Sequence, residues 1–264
     1  MIIDIQLNPA VEPWEAIRDG VLVAESTGFG TAWVFDHFDG SLLRGHGMLE
    51  CFTLLGALAA VTTSIGVGSL VTNVANRNPG VMALTAASVQ AISGGRLVLG
   101  LGAGAAPNTP WSAEHALLGL PLGQRIVDRH QRLAATLDEL DRWWAADRAP
   151  ERDTFLRPTP RPPVIVGVNS EPLAALAARR TDGINVRATH PDLAAILAAA
   201  QHARAAGARE GDGEMIVSVW AEWDPALADP DHADRRRWHE LGVNRLVMVC
   251  LAPHDPSAVG RFFA

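Results

Sequence analysis

The stretch "TAWVFDHFDG", residues 31–40, decides the fold. Thr31 to Phe35 are β-branched, aromatic or apolar, with no polar alternation. A continuous run of this kind suits a strand buried on both faces, as in a parallel sheet. Asp36 and His37 then stand side by side where the strand must end. The same pattern recurs along the chain and predicts eight strands, at 2–7, 31–35, 65–71, 97–101, 163–168, 183–187, 215–221 and 244–250.

Helical patterns fill the gaps between these runs. Residues 12–28 end at Gly28, residues 50–62 follow a polar loop, and Asn78 before Pro79 reads as an N-cap with proline at the first helical position. Within 124–145, Ile126, Leu133, Leu137, Leu140 and Trp144 recur at spacings that define one helix face. Ser170 can cap a helix over 171–181, and another ends at Gly207. Strand–helix alternation repeated eight times predicts a (β/α)8 TIM barrel, with a doubly wound open sheet as the alternative. Residues 224–242 leave room only for a short seventh helix, and the end after Pro256 is short as well. Two segments read as irregular: 103–121, expected to wall the site, and 146–162, expected to return the chain on the opposite face. With no internal repeat and no linker, residues 1–264 read as one domain.

The composition narrows the function. The chain carries 22 basic residues, all Arg, against 29 acidic ones, for a formal net charge of −7. That disfavours nucleic acid as a partner, since phosphate binding needs a basic face. Two cysteines, Cys51 and Cys250, are too few for a disulfide framework and fit a reduced, cytoplasmic setting. No signal peptide and no membrane span is legible.

In a barrel of this type chemistry sits at the C-terminal ends of the strands. Those ends carry Asn8; Asp36 and His37; Thr72 and Asn73; Gly102, Ala103 and Gly104; Gly167, Asn169 and Ser170; Arg187; and Glu222 with Trp223. Any one of these is ordinary for a surface loop. "GLGAG", 100–104, lacks the spacing of a dinucleotide fingerprint or a P-loop. "GVNS", 167–170, precedes a helix and could receive a phosphate, or Ser170 could simply cap. No convergent metal-ligand set, no G-x-S-x-G elbow and no Cys–His pair can be assembled.

Three blocks taken together, "AWVFDHF", "GSLVTNVANRNPGVMALTAASVQAISGGRLVLGLGAG" and "RPTPRPPVIVGVNSEPLAALAARRTDGIN", resemble the bacterial luciferase-like superfamily. The likeness is greatest to the branch that uses the deazaflavin coenzyme F-420, and runs from about residue 12 to 206. It implies a (β/α)8 barrel, frequent homodimers, a small-molecule substrate, and F-420, or alternatively FMN, bound at the mouth. It further implies that Asp36 and His37 line the deazaflavin ring, with His37 passing a proton beside the hydride step. The FMN monooxygenases more often carry Glu-His there. A non-proline cis peptide at Leu70–Val71 is implied, so that Leu70, Val71 and Thr72 back the ring. Gly102, Ala103 and Gly104, with Gly167, Val168, Asn169 and Ser170, would take the phosphate side. The sugar-phosphate dehydrogenases of the family carry Glu where this chain has Ala105, and the usual insertions are short here. An F-420-dependent oxidoreductase, an FMN-dependent monooxygenase and a non-catalytic flavin- or deazaflavin-binding protein are the readings that follow.

Overall fold

The computed structural model describes residues 1–207 and 213–263. Eight parallel strands close into a barrel in sequence order: β1 (Ile2–Gln6), β2 (Thr31–Val34), β3 (Gly66–Asn73), β4 (Leu97–Gly102), β5 (Val164–Gly167), β6 (Gly183–Arg187), β7 (Ile216–Glu222) and β8 (Arg245–Val249). The helices are α1 (Trp14–Thr27), α2 (Cys51–Val61), α3 (Pro79–Ile92), α4 (Ala113–Leu117), α5 (Ile126–Trp144), α6 (Glu171–Arg180), α7 (Leu193–Gly207) and α8 (Ala233–Glu240). The predicted signals act as read at two termini. Asn78 accepts from the Gly80 and Val81 amides ahead of Pro79, and Gly28 closes α1 at φ 108°, a left-handed conformation that favours glycine.

Three expectations need correction. Segment 103–121 contains a short helix, α4, whose five residues are too few to show a period. Ile126, placed on the buried face of α5, is 54% exposed, because it occupies the first turn, beyond the sheet. Ser170 makes no capping bond to α6. After β8 the chain ends in a 3-10 helix (Pro256–Phe262) packed against α1, in place of a full eighth helix.

Strand side chains alternate between two cores. Ile3, Ile5, Leu99, Val166, Ile184 and Val219 pack outward under the helices, whereas Trp33, Leu70, Ile165, Val247 and Val249 fill the barrel. At the closed end the inward Asp4 accepts from Trp33 Nε1 (2.9 Å) and Arg245 Nη1 (3.0 Å), while its Oδ1 has no hydrogen-bond partner among the described residues. Burial raises the Asp4 carboxyl to about 6, against the pull of Arg245 and of the Trp33 bond. A carboxyl raised on folding contributes stability that is present below its unfolded value near 3.8 and lost as pH rises through about 6. Relative to Asp4→Asn, the native chain should therefore lose on the order of 2–3 kcal/mol between pH 4 and pH 7. Denaturant midpoints of the two proteins that run parallel across that range would contradict this.

Candidate active site

The open end is organised by a distortion in β3. Its register on β4 shifts between Ser69 and Thr72, and Leu70–Val71 is cis, as the resemblance implies. The three glycines at 100, 102 and 167 share one physical reason. A Cβ on Gly100 would lie 2.1 Å from the Ser69 carbonyl oxygen, on Gly102 2.6 Å from Val71 Cγ2, and on Gly167 3.0 Å from Val71 Cγ1. These glycines make room for the bulge and for the Val71 side chain. Gly102 and Gly167, expected to cradle phosphate, both lie against Val71. Thr72 is likewise relocated: fully buried, its hydroxyl donates to Ser69 Oγ (2.8 Å), which donates to the Gly100 carbonyl (3.0 Å). The Leu70 carbonyl accepts from Gln6 Nε2 at 2.8 Å. Of the residues expected behind the ring, Val71 is the half-buried one that remains at the surface of the mouth.

Asp36 and His37 part ways, as they must once the strand has ended at Val34. Asp36 turns inward and its side chain is 1% exposed. Arg77 grips both of its oxygens at 2.7 Å, and the Asn73 amide (2.9 Å) and Asn76 Nδ2 (3.1 Å) complete the shell. Arg77 also pairs with Glu50 and lies 4.9 Å from the Phe52 ring centre. Burial opposes the Arg77 charge, but the two carboxylates outweigh it and raise its pKa. A carboxylate saturated in this way ties β2 to β3 and to the turn ahead of α3.

His37 points outward. Its Nδ1 lies 2.9 Å from Glu114 Oε1, and Trp111 leans on the ring with centroids 5.0 Å apart. Nε2 has no protein partner among the described residues. Glu114, almost wholly buried, also accepts the amides of Phe38 (2.7 Å) and Asp39 (2.9 Å). Burial pushes its carboxyl up, but the His37 bond and the two amides outweigh that and hold it below the ordinary carboxylate range. Next to it, His115 is buried with Nε2 2.9 Å from both Asn73 Nδ2 and Asn76 Oδ1, and burial lowers its pKa. Glu114, Trp111 and the role of Arg77 escaped the sequence reading. One signal was there: Glu114 is the single acidic residue between 97 and 127.

On the β5 side, Val168 is buried and its amide bonds the Asn185 carbonyl (2.9 Å), whereas Asn169 is exposed. Glu171 and Pro172 fill the first turn of α6. Proline has no N–H and the acid is already there, so this helix start is a poorer phosphate site than "GVNS" promised. Ala103 and Gly104 lie half-buried at the mouth, Gly104 at φ 95°. Asn8 staples the rim through the Leu43 (2.7 Å) and Leu251 (3.1 Å) carbonyls. Both cysteines are buried, and burial pushes the Cys250 thiol to about 12 and the Cys51 thiol well up, so neither is a nucleophile.

Fold and mouth define a (β/α)8 barrel with an imidazole held at its open end by a buried carboxylate. The chain belongs to the luciferase-like monooxygenase family, whose model matches residues 3–259, well past the 12–206 in which the resemblance was legible. It is 28% identical over 265 residues to an F420-dependent glucose-6-phosphate dehydrogenase of Microbacterium testaceum, covering 94% of this chain and 75% of that one. It is 27% identical over 202 residues to a 5,10-methylenetetrahydromethanopterin reductase of Methanolobus tindarius, covering 72% of this chain but only 55% of the relative. Among solved structures, an F420-dependent secondary alcohol dehydrogenase in complex with an F420-acetone adduct superposes with a TM-score of 0.78 at 18% identity, covering 99% and 97% of the two chains. The tetrahydromethanopterin reductase of Methanopyrus kandleri gives 0.73 at 15%, covering 98% and 96%. At those identities the likeness is one of fold.

Proposed function

We propose that this chain is an oxidoreductase that moves a hydride between coenzyme F-420 and a small organic substrate, with His37 passing the accompanying proton. The observation that carries the reading is His37 itself, with Nδ1 held by buried Glu114 and Nε2 open one strand away from the β3 bulge. The mouth fits a flat heterocycle, because Val71 fills the space above three glycines and offers an apolar platform rather than a hole. F-420, when bound, supplies the hydride chemistry.

The chain's own residues do the rest. Glu114, ionised near neutral pH, keeps the proton on Nδ1, so Nε2 is the atom that gives or takes one. Trp111 restricts the ring and shields it from water. Asp36, Arg77 and Asn76 fix the turn that presents His37; Asp36 is a positioning residue and not a catalytic one. The F420-dependent glucose-6-phosphate dehydrogenases among its relatives support the choice of F-420 over FMN. Titration of the purified chain should show tighter binding of F-420 than of FMN, with oxidation of reduced F-420 by activated alkenes, aldehydes or imines. Micromolar FMN binding with none for F-420 would replace this reading by the FMN one, and F-420 binding without turnover on any substrate by the non-catalytic one.

Among the described residues no helix is long and apolar enough to cross a membrane, and we place the protein in the cytoplasm. We also propose a homodimer, since Val61 of α2 and Val81 and Ile92 of α3 are exposed by 37%, 55% and 55%. Light scattering at micromolar concentration should give twice the chain mass; a single-chain mass refutes it.

A further inference from the structure

Among the described residues two arginines lie on strands, and both point into the barrel. Arg245, at the closed end, is tied to Asp4 and to Thr31 Oγ1 (2.8 Å). Arg187, at the open end of β6, forms no ion pair among the described residues. Its direction follows from strand period two: Asn185 points inward, donating to the inward Ser218 Oγ at 2.9 Å, so Arg187 does as well. It is paired in register with Trp220, and its guanidinium carbon stands 5.1 Å from that ring's centre. Trp220 is held in turn, donating from Nε1 to Gln6 Oε1 (2.9 Å), while Gln6 Nε2 reaches the Leu70 carbonyl. Arg187 thus rests on a shelf braced to the β3 bulge.

In the closed order β6 lies opposite β2, the strand that His37 follows. Glu222, two residues beyond Trp220 and also inward, is not paired with Arg187. The neighbouring start of α6 has Glu171 and Pro172 in its first turn and offers little to an anion. A guanidinium stacked by its face keeps its N–H edge for a planar or tetrahedral oxyanion.

We propose that Arg187 docks an oxyanion, a carboxylate or a phosphate, of the molecule bound in the mouth. This rests on the function proposed above, and the anion could belong to the substrate or to the phosphate-bearing side of the coenzyme. Calorimetric titrations of the native chain, Arg187→Met and Arg187→Lys separate these. Arg187 is exposed, so the variants should melt with the native protein. If the anion is the coenzyme's, Arg187→Met weakens F-420 by about 10–100-fold and leaves its dephosphorylated chromophore unaffected. If it is the substrate's, F-420 affinity holds while the preference of the F-420-loaded protein for benzoate over benzamide is lost. Arg187→Lys, with charge but no planar fork, should fall between. Unchanged F-420 binding together with an unchanged benzoate-to-benzamide ratio overturns the proposal. Should the native chain bind no F-420, the function reading fails, and the benzoate and benzamide titrations of the bare protein still decide Arg187.

Discussion

His37→Ala should slow turnover by roughly 10²–10⁴-fold while coenzyme affinity stays within a few-fold. The asymmetry follows from the geometry. His37 is about a quarter exposed and rests on Glu114 and Trp111, so its removal leaves the bulge, Val71 and the Asp36–Arg77 anchor intact. Glu114→Gln should fall between the native chain and His37→Ala. Its amide cannot hold Nδ1 protonated and also accept the Phe38 and Asp39 amides, so part of the population presents the wrong tautomer at Nε2. The pH–rate profile is the discriminating readout, since a residue that only packs would lower the rate without displacing the limb assigned to the imidazole. An undiminished rate for His37→Ala at saturating substrate would make the histidine a packing residue and send the search for a proton carrier elsewhere.

Arg77→Met should be the most destabilising change at the site, by about 3–5 kcal/mol, because it leaves the Asp36 carboxylate buried and uncompensated. For a domain of this size that corresponds to a fall in melting temperature of roughly 5–10 °C. The second variant makes the cause visible. Arg77→Met combined with Asp36→Asn removes the stranded charge and should recover part of the loss, whereas two independent sites would simply add. Melting of the single variant within 2 °C of the native protein would show that the pair is solvated and that the turn at 36–38 is held by other contacts.

The eight strands were legible from local signals alone. Residues such as 163–168 and 244–250 are apolar without alternation, and in a chain this long the parallel barrel is the arrangement that buries both faces of every strand. The caps at Asn78 and Gly28 are equally local, set by one side chain and by one backbone angle. The placement of His37 at the mouth followed from its position just past the apolar run that ends at Phe35. Tertiary structure decided what the neighbours do. That Asp36 turns inward while His37 stays at the rim turned on Arg77, 41 residues away, which draws the acid in. The carboxylate behind the imidazole comes from Glu114, 77 residues on, in a helix of one and a half turns that has no periodic signature. Gly102 and Gly167 resemble a ligand cradle in sequence because a missing Cβ says only that space is needed. That the space belongs to Val71, delivered by a bulge in a neighbouring strand, is a fact of packing between β3, β4 and β5, and no run of adjacent residues encodes it.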